Sequence, residues 1–83
     1  MDRPTTASLV EALKAAGSAH HDYESNALNG QHDEQWPGWY AAYVLGRLGD
    51  FVTPTVLAQW LEEAPGSDNW AETAAGYIEI KLG

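Results

Sequence analysis

The sequence has no cysteine and only four basic residues among its 83. The first absence excludes a disulfide framework, a thiolate nucleophile and a Cys-ligated zinc. The second, set against twelve Asp and Glu, gives a formal net charge of −8. Such a surface repels phosphate backbones and anionic membranes, so no nucleic-acid and no membrane partner is expected. Apolar runs fall far short of the ~20 residues that span a bilayer. The stretch Met1-Asp2-Arg3-Pro4 lacks a basic segment followed by an apolar one, so a soluble, cytoplasmic protein without a signal peptide is the expectation. Internal repeats, low-complexity tracts and cofactor motifs are also missing, and no cofactor is expected.

What remains is a chain of one-domain length, 45% apolar, with four Trp and four Tyr against one Phe. That composition predicts an all-α fold, a compact bundle of four helices with the last two short. Helix one begins after Arg3-Pro4-Thr5-Thr6, where a threonine caps, and runs from Ala7 to about Ala27 before Asn29-Gly30. Residues 31–35 read as a polar loop. Trp36-Pro37 opens helix two, since the residue before proline is pushed out of the helical region, and Leu48-Gly49-Asp50 ends it. Thr53-Pro54 pairs a capping hydroxyl with a first-turn proline and starts helix three, which Pro65-Gly66 closes. Ser67 or Asp68 is expected to cap helix four. Residues 77–82 alternate like a strand, but a single short strand has nothing to pair with, so helix is retained. The expected core combines Leu9, Leu13, Leu57, Leu61 and Ile78 with Trp36, Trp39, Tyr43, Trp60, Trp70 and Tyr77.

Helix one breaks its own pattern. At about 100° per residue, Leu9, Leu13, Ala16, His20, Tyr23 and Ala27 share a stripe, with Glu24 at its edge. His20, Tyr23 and Glu24 stand where Leu or Val belongs, and such violations mark functional or strained places. On helix two, Trp36, Trp39, Tyr40, Tyr43 and Val44 cover a broad face with Arg47 near its middle. Arg47 reads either as a structural ion pair with Glu24, Asp22 or a carboxylate of helix three, or as an anion clamp. Antiparallel packing of helices one and two would carry it toward the far end of helix one from His20; a steep crossing would bring it to Glu24. His20 with Glu24 has the form of a base and its orienting group, but no nucleophile or oxyanion site accompanies them. Metal chemistry is a third option, because His20, His21, Asp22, Glu24, His32 and Asp33 crowd into residues 20–33. Adjacent His20 and His21 diverge by about 100°, so a site would need His20 and Glu24 plus a ligand from the His32 loop. No metal-binding set is assigned.

The stretch His21-x-Tyr23-Glu24, then Asp33-x-x-Trp36-x-x-Trp39-Tyr40-Ala41-x-Tyr43, resembles a small uncharacterised helical family in which a W-x-x-W-Y-A-x-Y helix recurs. Similar segments accompany glyoxalase or bleomycin-resistance-like domains. The resemblance covers the middle third of the chain. It implies a helical accessory module and no activity, for the metal-binding β-sheet of the glyoxalase fold has no counterpart here.

Two functions follow as expectations. The first is a non-catalytic interaction module, binding a partner protein or a second copy of itself through an aromatic face with Arg47. The alternative is a small-molecule or anion binder, with a pocket between helices one and two lined by His20, Tyr23, Glu24, Trp36, Tyr40 and Arg47. A flat apolar patch would favour the first. A concave pocket with an unpaired Arg47 would favour the second.

Overall fold

In a computed structural model, residues 3–83 are described; Met1 and Asp2, part of the stretch read for a leader, lie outside them. Among the described residues the elements are α1 (Thr6–Asn26), α2 (Trp36–Leu48), α3 (Pro54–Glu63) and α4 (Trp70–Leu82), with no strand. The fold is the all-α bundle that the sequence predicts. Residues 77–82 are helical, and α4 equals α2 in length at 13 residues, leaving α3 the shortest at 10.

Local chemistry accounts for most of the boundaries. Thr5 caps α1 by accepting the Ser8 N–H at 3.0 Å, and Thr53 caps α3 by accepting the Val56 N–H at 3.3 Å. Pro37 and Pro54 occupy first-turn positions, where a missing N–H costs nothing. Gly49 ends α2 with φ 96°, a conformation that a side chain would strain. The expected cap of α4 is corrected. Asn69 holds the position without a side-chain cap bond, while the Ser67 hydroxyl pairs with that of Thr73 at 2.9 Å.

The helices follow one another round a ring, and α4 packs back on α1. Their shared interior is aliphatic. Leu9, Leu13, Val44, Leu57, Leu61 and Ile78 are its largest fully buried side chains, and Ala12, Ala16, Ala41, Ala74 and Ala75 let the helix backbones approach closely. None of the four Trp is fully buried. Trp36, Trp39, Trp60 and Trp70, with Tyr43 and Tyr77, are half-buried around this interior rather than inside it. Indoles are large and rarely fully buried, the more so in a chain of this size. Polar clips close the ring: Lys14 Nζ meets Glu72 Oε1 at 3.0 Å between α1 and α4, and the Tyr77 hydroxyl donates to Glu63 Oε1 at 2.8 Å between α4 and α3. Arg3 donates to the Leu82 carbonyl at 3.0 Å, satisfying an end-of-helix acceptor.

Small domains have little stability to lose, so the interior and rim should respond very differently to truncation. Leu57→Ala should cost about 2–5 kcal/mol in urea denaturation. Ile80→Ala, at a side chain 78% exposed, should stay within about 0.5 kcal/mol of the parent.

Candidate functional site

His20 continues the stripe of Leu9, Leu13 and Ala16, so α1 itself drives an imidazole inward until only 6% of the residue is exposed. A buried ring nitrogen needs a partner. Nε2 lies 3.0 Å from Asp33 Oδ2. An ionised carboxylate can only accept, so Nε2 carries the proton and donates. On the other side, Nδ1 faces Glu24 Oε1 at 3.8 Å, one turn further along the helix.

That pairing requires the chain after α1 to fold back, and Glu24 holds it at two points. The Glu24 carbonyl accepts the Gly30 N–H at 2.7 Å, and its carboxylate Oε2 accepts the Asp33 N–H at 2.8 Å. Asn29 and Gly30, with φ 55° and 81°, make the left-handed reversal between them. Both residue types tolerate that region. Asp33 then uses its second oxygen, Oδ1, to accept the Gln35 N–H at 2.9 Å, and its carbonyl accepts the Trp36 N–H at 3.2 Å. One carboxylate therefore joins the end of α1 to the start of α2. The His20 hydrogen bond is the main cause holding the Asp33 carboxyl below its ordinary range; burial opposes it, and the Gln35 N–H and the imidazole charges of His20 and His32 assist it.

Around this polar knot the aromatic rings form two groups. Tyr23, Trp39 and Tyr43 stack along the outside, with centroids 5.7 Å apart at both steps. Trp36, Tyr40 and Trp70 form a corner. Each pair meets nearly at right angles, at 83°, 79° and 87°, with centroids 5.5, 5.8 and 5.6 Å apart. Between the groups, the His20 ring lies edge-on to Trp39 at 5.0 Å and 5.2 Å from Tyr40. Gly17 makes room for Tyr40, since a Cβ at that position would sit 3.4 Å from the phenolic oxygen.

The corner opens into a concave pocket of about 290 Å³ lined by His20, Glu24, His32, Trp36, Tyr40 and Trp70. None of the four Lys and Arg lines it. Arg3 holds the Leu82 carbonyl, Lys14 pairs with Glu72, Arg47 lies 3.7 Å from Glu11, and Lys81 sits over the Tyr77 ring. The pocket is thus aromatic, with one carboxylate, Glu24, and two imidazoles, of which that of His32 places Nδ1 3.8 Å from Glu24 Oε2. Burial, then the Glu24 charge, pushes the Tyr40 phenol above its ordinary value, so it stays protonated and is a poor base or nucleophile. Among the described residues, no group of three or more His, Asp and Glu side chains is disposed to hold a metal ion. The donors nearest to one, His20 Nε2 and Asp33 Oδ2, are spent on each other. His21 and Asp22 are exposed on α1 beside the knot.

Of the residues singled out in the sequence, His20, Glu24, Trp36 and Tyr40 converge on the pocket. Tyr23, Trp39 and Tyr43 form the outer stack beside it. Arg47 is the correction. It meets Glu11 near the start of α1, with 44% of its side chain exposed, not Glu24, Asp22 or a carboxylate of α3. Helices α1 and α2 are antiparallel, and a wheel ignores distance along the axis. Seven residues beyond Tyr40, Arg47 shares its angular stripe but lies about 10 Å further along. With it goes the expectation of an anion clamp in this pocket. Two residues absent from the expected binding face line the pocket: His32, which the sequence offered only as a metal ligand, and Trp70, assigned wholly to the core; Asp33 sits behind the lining, bonded to His20. Nothing local marks Trp70, which reaches the pocket only because α4 returns to α1.

Acid should loosen this corner. A carboxyl lowered in the native state stabilises it fully above the ordinary Asp range, about pH 4, and that contribution fades as pH falls through the native value. Glu63, held low mainly by the Tyr77 hydroxyl, and Glu72, held low mainly by Lys14, act with the same sign. Asp33→Asn should therefore lower the thermal midpoint at neutral pH and shrink the further drop on acidification. An equal drop in both proteins would assign the acid sensitivity elsewhere. Arg47→Ala, which removes only an exposed pair, should change stability by less than about 1 kcal/mol. No protein-family model, curated protein or solved structure matches this chain, which leaves these side chains as the ground for a functional reading.

Proposed function

We propose that this protein is a non-catalytic ligand-binding module whose pocket between α1, α2 and α4 receives a positively charged organic group. The observation that carries this reading is the pairing of three perpendicular aromatic walls with the Glu24 carboxylate in a concavity from which every Lys and Arg is missing. Ring faces and a carboxylate both attract cations and repel anions. The net charge of −8 extends that preference to the surrounding field. Cytoplasmic residence belongs to the same reading, as the chain has no cysteine; no helix among the described residues is long and apolar enough to cross a membrane. Membership of the W-x-x-W-Y-A-x-Y family, as a helical accessory module, is compatible with it and adds no activity.

A second reading draws on the outer stack. Tyr23 is 37% exposed at the end of a continuous run of rings with Trp39 and Tyr43, and such rings suit a partner protein or a second copy of this chain. It ranks below the pocket because Tyr23 and Ile80 are the large hydrophobics most open to solvent among the described residues, too few for a broad apolar patch.

Titration followed by the indole N–H resonances tests the first reading. Choline, ethylammonium and imidazolium should shift Trp36 and Trp70 saturably, while acetate and phosphate at matched ionic strength should not. Stronger shifts with the anions would refute a cation site. For the second reading, a sedimentation mass independent of protein concentration would remove self-association.

A further inference from the structure

The cation reading leaves the head group open, and resting on it we infer that the group held by Trp36, Tyr40 and Trp70 is a methylated ammonium, trimethylammonium in the simplest case. The first argument is shape. Three ring planes at 83°, 79° and 87° to one another, nearly equidistant, are the walls of a box corner. A roughly spherical cation presents the same positive surface to each wall, whereas a planar guanidinium can lie flat on only one at a time.

The second argument is hydrogen-bond satisfaction. A primary ammonium carries three N–H donors and a guanidinium five, and each donor withdrawn from water needs an acceptor. Most of the carboxylate acceptors here are already committed. Asp33 spends one oxygen on His20 and the other on Gln35, and Glu24 Oε2 takes the Asp33 N–H. Glu24 Oε1, 3.8 Å from His20 Nδ1, is the carboxylate oxygen of this network left without a hydrogen bond. Beside it, the lone pair of His20 Nδ1 and the Tyr40 hydroxyl oxygen are neutral acceptors; three donors would have to align with all of these at once, and the five of a guanidinium exceed them. A trimethylated nitrogen has none to satisfy; it gains from the ring faces and from the Glu24 carboxylate charge without needing contact with its lone pairs. The N-termini of α2 and α4, which begin at Trp36 and Trp70, bring partial positive charge, but Asp33 answers one and Glu72, in the first turn of α4, the other. The volume agrees. At about 290 Å³ the pocket sits at the lower edge of drug-sized cavities, roughly 300–1,000 Å³, room for a head group rather than for a nucleotide.

A trimethylammonium group can belong to a free small molecule or to a trimethylated lysine on another protein. The experiment is an NMR titration of the intact chain with ammonium, methylammonium, dimethylammonium and tetramethylammonium chlorides at constant ionic strength, followed by choline and by a short peptide with and without lysine trimethylation. Affinity should climb along the methylation series, with tetramethylammonium at least about tenfold tighter than ammonium. A peptide preferred over choline assigns the head group to a protein side chain, and the reverse order assigns it to a small molecule. Trp36→Phe and Trp70→Phe, which keep a ring in place with a weaker face, should each weaken tetramethylammonium about 3- to 10-fold, with thermal melts confirming that they fold. Flat or falling affinity with methylation overturns the inference and leaves the cation reading standing. Absence of binding by every cation overturns both. Tetramethylammonium affinity unchanged in both folded Phe variants overturns the inference as well.

Discussion

The hydrogen bond from His20 to Asp33 is the constraint on which the rest of this corner depends. α1 has the periodicity of an ordinary amphipathic helix until residue 20, where it buries an imidazole that must donate. The acceptor lies on the far side of a chain reversal, so satisfying the ring fixes the path of the loop. Glu24 reinforces that path from the helix side by taking one N–H on its carbonyl and another on its carboxylate. The start of α2 is then set by the same Asp33, through Gln35 and Trp36. Because Trp36, Trp39 and Tyr40 occupy the first turns of α2, anchoring its start also orients the rings. A single polar contact thereby organises an aromatic surface that contains no other buried polar side chain.

The allocation of charge follows a similar economy. Each of the four basic side chains has a task at some distance from the pocket: a terminal carbonyl, a clip between α1 and α4, an exposed pair with Glu11, and a tyrosine ring. Two of the twelve acidic residues are turned inward to serve one histidine. With its imidazoles neutral the pocket's field is negative, set by Glu24 in its lining and Asp33 behind His20; His32, whose Nδ1 lies 3.8 Å from Glu24 Oε2, also lines it. Aromatic walls intensify the preference, for they offer a cation attraction and an anion nothing. Arg47, had it stood beside Glu24, would have offset one of these charges.

Helix existence and most boundaries were legible in the sequence because their causes are local: Thr53-Pro54, Trp36-Pro37 and Gly49 each act within one turn. The anomaly at His20, Tyr23 and Glu24 was legible for the same reason, as a departure from a 3.6-residue period. What escaped depends on other dimensions. Arg47 was left open between two crossings because an angular projection discards the axial coordinate, and it is the antiparallel one that carries it to Glu11, away from His20. Asn69 replaced the expected cap because nearby Ser67 bonds Thr73 instead. Trp70 was hidden by topology, since its contact with Trp36 and Tyr40 exists only once α4 has closed on α1. The indoles were assigned to the core by their size, yet four short helices meeting through alanines leave an interior too narrow for them.

If the rings were present only to stabilise the bundle, aliphatic side chains at positions 36, 40 and 70 would cover the same helices while leaving no pocket, and a leucine at position 20 would extend the Leu9–Leu13–Ala16 stripe without any need for Asp33. Such a chain would give up the polar network that fixes how α2 leaves the loop, but burying ions is rarely the more stable choice. Here the sequence keeps a buried imidazole, two inward carboxylates and three half-exposed rings together, each a poorer choice than an apolar one for packing alone. Local departures from packing rules that converge in space, when each would be avoidable separately, are accounted for by a shared role at that place. All of them but Asp33 line the pocket, and Asp33 is joined to it through His20.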